Sequence, residues 1–89
     1  MQGGLQMFIN KTSSGENNLI GRLLAEKRKK KGFSQRGLAD RLQVIGLDVD
    51  KNAIQRIECG KRFVTDIELV YLCKALGTDP NELLQWNNR

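Results

Sequence analysis

The segment from Ser34 to Gly60 constrains the fold of this 89-residue chain more than any other part of it. It contains two short helical patterns, and each follows a residue that commonly caps a helix, Ser34 for the first and Asp50 for the second. The second pattern, Lys51 to Cys59, places apolar residues at i, i+1 and i+4, on one helix face. We therefore predict two helices on a shared core, the second ending at Gly60 in a left-handed conformation.

The opposite face of the second predicted helix carries four polar or basic side chains. Arg and Lys side chains suit the edge of guanine in a DNA major groove, whereas Asn and Gln suit adenine. This combination on one surface indicates a helix that reads base sequence. The predicted base-reading residues are Lys51, Asn52, Gln55 and Arg56.

The same segment resembles the Cro and lambda-repressor-like (Xre) family of helix-turn-helix proteins. The likeness covers about residues 19 to 84 and includes a Ser-Gln opening at Ser34, Leu38-Ala39, and an Ile-Glu-x-Gly close that ends at Gly60. It implies an all-α fold, a compact five-helix lambda-repressor-like bundle. It also implies that Gln35 clamps the DNA backbone and that a structural ion pair joins Arg28 to Glu58.

The connection between the two helices departs from the family pattern. Eighteen residues separate Gln35 from Ile54, several more than is usual in the family, and Gln43 stands where the family has a tight glycine turn. The additional residues, Val44 to Val49, include several apolar side chains. We expect them to form an extra partial turn and a small flap over the core, so that the connecting loop of the helix-turn-helix is extended.

A further helix is predicted before the segment, from about Leu19 to Lys31, with Asn17 or Asn18 as its cap. Residues 1–17 show neither a helical nor an alternating period and are expected to form a flexible N-terminal tail. The helix-turn-helix DNA-binding domain is then expected to occupy residues 18–86, and a C-terminal tail residues 87–89.

Two more helices are predicted after Gly60, where capping boxes begin at Thr65 and Asp79. We expect Phe63 and Val64 to anchor the preceding loop on the core. The last helix is short and carries two apolar residues with less reason to be buried. They are a tentative dimer contact, Leu84 and Trp86, although Trp86 could equally cover the edge of the core.

The distribution of charge suggests a polyanionic partner. Residues 19–65 carry 12 Lys or Arg against 5 Asp or Glu, whereas residues 66–89 carry 2 against 4. A basic face favours DNA through phosphate contacts, although a solvated helix surface explains the same charge about equally well. The predicted phosphate-binding residues lie at the start of the helix that Ser34 caps and after the helix that Asp50 caps: Gln35, Arg36, Lys61 and Arg62.

Other classes of function have little support. The two cysteines, Cys59 and Cys73, have no CxxC spacing, and the chain contains no histidine, which argues against a metal site. No cofactor is expected, and without a histidine base or a phosphate loop an enzyme is the least favoured class. No apolar run approaches the length of a membrane span, so a cytoplasmic protein with free thiols is expected.

The leading hypothesis is a sequence-specific regulator of transcription that binds double-stranded DNA, most simply a repressor of phage or mobile-element type. It would bind a palindromic operator as a homodimer. The alternatives are the antitoxin of a toxin–antitoxin pair, with a protein partner, and a protein-interaction domain of the same fold. The polar face of the helix predicted from Lys51 to Cys59 favours the first hypothesis, because an interaction domain would not need these four side chains together on one surface.

Overall fold

The computed structural model describes residues 10–89; the first nine residues of the predicted tail lie outside the described part. The described residues form five α-helices and a final 3₁₀ turn, with no strand among them, which confirms the predicted all-α bundle. No helix in residues 10–89 is long and apolar enough to cross a membrane. The helices are α1 (Gly21–Lys30), α2 (Gln35–Ile45), α3 (Lys51–Glu58), α4 (Asp66–Leu76) and α5 (Pro80–Leu84), and the 3₁₀ turn is Trp86–Asn88.

One hydrophobic core holds the helices together. α2 packs against α3 and α4, α1 packs against α3, and α5 packs against α4. The helices contain between 5 and 11 residues, lengths at which an isolated helix is marginal in water, so their stability depends on this shared core. Every helix contributes at least one of the protein's largest fully buried side chains, which are Leu24, Leu38, Leu42, Ile54, Ile57, Leu72 and Leu83.

Side-chain caps start four of the five helices where the sequence predicts them. Ser34 and Asp50 accept hydrogen bonds from first-turn amides of α2 and α3, at 2.9 and 2.8 Å. Thr65 and Asp79 form complete capping boxes at the starts of α4 and α5. Because each cap satisfies an amide that the helix itself leaves unpaired, these starts depend on local sequence alone.

α1 is shorter than predicted, since it begins at Gly21 and ends at Lys30. The Asn18 carboxamide oxygen accepts hydrogen bonds from the amides of Ile20 and Gly21, at 3.1 and 2.9 Å. These bonds turn the chain just before the helix, so Leu19 lies in the turn and is 46% exposed. Of the two predicted caps, it is Asn18 whose side chain meets these amides.

The extended connection between α2 and α3 is divided between a longer α2 and the short loop of residues 46–50. α2 continues through Gln43 to Ile45 and ends at Gly46, whose φ of +113° is in the left-handed region. The Gln43 amide then donates a 2.9 Å hydrogen bond to the carbonyl of Val49, which is buried. The predicted extra turn and flap are therefore present, except that Val44 is 81% exposed and does not pack on the core.

α1 and α3 approach closely at Gly21. A Cβ atom there would overlap the backbone carbonyl oxygen of Ile57 and lie 2.9 Å from that of Glu58. Backbone atoms cannot move aside as the end of a flexible side chain can, so the helices meet at this distance only because residue 21 has no side chain. The C-terminal end of α3 is thereby held against the start of α1.

We predict that Gly21→Ala destabilises the protein, by roughly 1–3 kcal/mol as is typical of overpacking, because it forces α1 away from α3. Gly37→Ala is the matched control: this glycine lies within α2, and a Cβ there meets only the side chains of Ser34 and Phe33. Alanine favours a helix by about 1 kcal/mol over glycine, which offsets the tight 3.2 Å contact of the new Cβ with the Ser34 hydroxyl, so the control should lose less stability than Gly21→Ala. Chemical denaturation measures both, and equal stability of the two variants would contradict the close approach.

Candidate nucleic-acid interface

The exposed face of α3 contains all four residues predicted to read bases. They alternate with Ala53, Ile54 and Ile57, which face the core, and the helix is held in register by the Asp50 cap. Within residues 10–89 none of their side chains forms a hydrogen bond or an ion pair. They are thus free to contact a ligand, and their part in base reading stays a prediction: Lys51, Asn52, Gln55 and Arg56.

The carboxylate of Glu58, at the end of α3, joins three helices. Arg28 of α1 donates to it twice, from Nε to Oε2 at 2.6 Å and from Nη2 to Oε1 at 3.0 Å. Gln35, the first residue of α2, donates from Nε2 to Oε1 at 3.0 Å. The predicted ion pair between Arg28 and Glu58 is therefore present, and it is extended by an amide that orients α2 against α3.

The ion pair is largely removed from water, with the Arg28 and Glu58 side chains only 9% and 8% exposed. Arg28 also donates from Nη1 to the carbonyl of Phe33, at 2.9 Å, in the turn between α1 and α2. The hydrogen bond to Glu58 raises the pKa of Arg28 against the opposing effect of burial. The guanidinium thus stays charged and is used entirely inside the protein.

The N-terminal end of α2 carries two of the predicted phosphate-binding residues. Gln35 uses one amide hydrogen for Glu58, and its second hydrogen has no partner among the described residues. Arg36 is exposed. The positive end of a helix dipole favours an anion at this place, so a phosphate here would meet both side chains and the free amides of the first turn.

The loop after α3 carries the other two predicted phosphate-binding residues, and they differ in availability. Lys61 is exposed and makes no side-chain contact within residues 10–89. Arg62 instead pairs with Glu68 of α4 through two 3.0 Å hydrogen bonds. Burial is the largest single effect and raises the pKa of Glu68, but the hydrogen bonds and charge of Arg62 together with the hydrogen bonds from Thr65 hold this pKa below its usual value. Arg62 can therefore offer only the remaining edge of its guanidinium to a phosphate.

The anchoring of this loop differs from the prediction. Val64 packs against the core as expected, but Phe63 is 53% exposed, and the expectation that it anchors the loop is wrong. The physical reason is that Arg62 and Glu68 already bind the loop to α4, and the loop turns Phe63 outward. Asn17 and Asn18 also bind this loop, a contact that no sequence pattern predicts, since no periodicity links residues that are 44 positions apart.

A second exposed surface lies on α4 and after α5. Ile67 and Val70, one turn apart on α4, are 64% and 45% exposed, and Trp86 is 67% exposed. Leu84, the other tentative dimer contact, is half-buried. It lines a shallow groove of about 290 Å³ whose apolar residues are Leu19, Ile20, Val64, Leu69 and Leu84.

The two cysteines differ in their exposure to solvent. Cys59 is exposed at the end of α3, whereas Cys73 is buried on α4, where burial raises the pKa of its thiol. Both are free thiols. Across residues 10–89, no group of three His, Cys, Asp or Glu side chains is placed to hold a metal ion.

We predict that breaking the pair at Glu58 destabilises the protein and that removing both charges restores much of the loss. Glu58→Leu or Arg28→Met alone should cost about 3 kcal/mol, the lower end for buried pairs because some exposure remains. The double variant should cost less than the two losses added together, since neither charge is left stranded. Chemical denaturation of all three variants tests this, and small additive losses would show that the pair contributes little.

The chain was compared with known proteins. A family model described as a helix-turn-helix domain matches residues 19–86. Among solved structures, the restriction-modification controller protein C.AhdI from Aeromonas hydrophila is similar, with 33% sequence identity and a TM-score of 0.63, over 72% of this chain and 86% of that one. No curated protein matched the sequence. With the motifs and the five-helix fold, these matches show that the chain belongs to the helix-turn-helix domain family, of the Cro and lambda-repressor-like type.

Proposed function

We propose that this helix-turn-helix protein is a sequence-specific regulator of transcription that represses by occupying an operator in double-stranded DNA. One observation carries the proposal: four polar side chains without partners in the described structure share one face of α3, and Glu58 braces that helix against α1 and α2. A protein-interaction domain would not need these four side chains on one exposed face. A rigid recognition helix needs both the free face and the brace.

The similarity to C.AhdI supports a regulator associated with a mobile element. That protein is a restriction-modification controller, and this chain spans 86% of its length at 33% identity. We propose a controller of the same kind, acting in the cytoplasm where its DNA would be. It acts by binding and not by catalysis, and its most buried charged groups, Arg28 and Glu58, serve each other.

The proposed docking follows from the geometry of the two helices. α3 lies in the major groove with its polar face toward the bases, while the N-terminal end of α2 and the loop after α3 contact phosphates on either side. The positive charge of residues 19–65 supports this orientation, because that part of the chain contains α2, α3 and the loop. Phosphate contacts then position the protein, and contacts from α3 specify the sequence.

We propose that a second copy of the chain covers the surface on α4 and α5. Residues 66–89 carry 2 basic against 4 acidic residues, so this surface is not the one that favours a polyanion. It exposes Ile67, Val70 and Trp86, and Leu84 lines an apolar groove together with Leu69 of α4. A two-fold contact there would leave both α3 helices outward and would match a palindromic operator.

We predict that alanine substitutions divide the interface into two classes. Replacing Lys51, Asn52 or Arg56 should cost about 1–3 kcal/mol on the selected operator and relax preference at particular base pairs, with guanine the partner of Arg56 and adenine that of Asn52. Replacing Lys61 should weaken binding to operator and random DNA alike and reduce the log–log salt slope by about one unit. Titrations against single-base variants of the operator measure both classes.

The matched control for Lys61→Ala is Lys74→Ala, an exposed lysine of α4 that lies over the ring of Tyr71 and outside the proposed DNA interface. Because Lys74 shares a face of α4 with Ile67 and Val70, sedimentation first checks that this variant assembles as the wild type does. It should leave the salt slope unchanged. If variants of α3 keep the wild-type ranking of every operator variant, α3 does not read bases. A wild-type protein whose binding is independent of salt would contradict the whole mode of docking.

We predict that the wild type is a dimer, at least on a palindromic operator, and that Trp86→Ala and Ile67→Glu weaken the dimer without unfolding the chain. Both side chains are exposed, so their loss leaves the core intact, whereas a charge at position 67 would be buried in a two-fold contact. Sedimentation with and without DNA measures this. Val44→Glu, at an exposed apolar residue of α2, is the control and should not affect assembly.

A further inference from the structure

Asn17 binds the loop on which Lys61 stands. Its backbone amide donates to the carbonyl of Gly60 at 2.7 Å, and its side-chain amide donates to the carbonyl of Lys61 at 3.0 Å. Residues just past the end of a helix have carbonyls that the helix does not satisfy. Asn17 therefore supplies, from a distant part of the chain, donors that this loop lacks.

Asn18 binds both the end of α3 and the loop that follows it. Its side-chain nitrogen donates to the carbonyls of Ile57 and Arg62, at 3.0 and 2.8 Å. Its carboxamide oxygen is occupied by the first amides of α1. The residue thus ties the end of α3, the loop and the start of α1 to one another.

A small hydroxyl-rich turn immediately precedes these asparagines and lies against the same loop. Thr12 and Ser14 each donate a 2.6 Å hydrogen bond to the carboxylate of Glu16, and the Thr12 amide donates to the Glu16 carbonyl at 2.8 Å. The hydroxyl of Ser14, and next that of Thr12, lower the pKa of Glu16. The Glu16 side chain crosses Gly60 so closely that a Cβ on Gly60 would lie 2.5 Å from its Cγ.

The backbone amides of this loop form hydrogen bonds with α3 and not with the asparagines. The amides of Lys61 and Arg62 both donate to the carbonyl of Arg56 in α3, at 2.9 and 3.2 Å. The loop is therefore held by α3 through its amides and by Asn17 and Asn18 through its carbonyls. The side chain of Lys61 is what remains to face a ligand, and its starting point is set by both sets of bonds.

We propose that a strap of five residues, Thr12, Ser14, Glu16, Asn17 and Asn18, positions the loop after α3 for contact with the DNA backbone. The inference rests on the proposed function, since it takes Lys61 as a phosphate contact. The strap precedes residue 19, where the match to the helix-turn-helix family begins, so it is an addition to the matched domain. It contributes no side chain to the buried core, and its bonds converge on the loop and the neighbouring start of α1.

The test uses the full chain and compares Thr12 with its neighbour Ser13. Asn17→Ala and Thr12→Ala should each weaken operator binding by about 3- to 10-fold, the effect of losing a typical hydrogen bond that orders the loop. Thr12→Ser keeps the hydroxyl and should restore wild-type affinity. Ser13→Ala is the matched control, because Ser13 is exposed and its side chain makes no hydrogen bond within residues 10–89.

A double-mutant cycle separates positioning from general stability. In a Lys61→Ala background, Asn17→Ala should change affinity by less than about 2-fold, because the side chain that it positions is gone. Equal losses in both backgrounds, or wild-type affinity of Asn17→Ala, would overturn the proposal. A protein that only lost stability would show the same loss with and without Lys61.

Amide hydrogen exchange of the free protein gives a second readout that does not depend on DNA. Exchange at Lys61 and Arg62 should be faster in Asn17→Ala than in Ser13→Ala, while the α2 core amides of Leu38 and Leu42 stay protected in both. Unchanged exchange at the loop would overturn the proposed ordering by the strap. Failure of the proposed function itself would appear differently, as a wild-type protein that binds no duplex.

Discussion

The arrangement of the helix-turn-helix depends on one carboxylate, that of Glu58. The Glu58 side chain is only 8% exposed, so an unpaired charge there would be strongly destabilising. Its carboxylate accepts two hydrogen bonds from Arg28 and one from Gln35. Since these three residues belong to α3, α1 and α2, the bonds set the position of α3 relative to both other helices. The close approach of α1 and α3 at Gly21 lies at the same junction.

This junction explains how the protein accommodates an enlarged connection between α2 and α3. The additional residues lengthen α2 to Ile45 and fold the following chain over the core, at the opposite end of α3 from Glu58. Asp50 then caps α3 in the usual way. The bonds that orient α3 are thus formed by residues outside the expansion, so the polar face keeps its place on the bundle.

The basic charge of the chain is larger than the charge available to a ligand. Arg28 is used by Glu58, Arg62 by Glu68, and Lys27 by Glu82 at 3.4 Å. Among the four predicted phosphate contacts, Gln35 and Arg62 are partly engaged inside the protein, so Arg36 and Lys61 are the two whose side chains are fully available. A strap that fixes the loop beneath Lys61 has its physical rationale here, because a long flexible side chain loses less entropy on binding when its backbone is already ordered.

The helices, their caps and the two faces of α3 could be predicted from sequence because each depends on residues a few positions apart. Ser34 and Asp50 bind amides within their own first turn, and the apolar stripe of α3 recurs at the helical period. The resemblance to a family added the pair at Glu58. Three features follow no local spacing in the sequence. They are the pairing of Arg62 with Glu68, the exposure of Phe63, and the hydrogen bond from Asn17 to a loop 44 residues away. Only the packed structure decided them, because which unsatisfied carbonyl meets which donor depends on how distant segments come together.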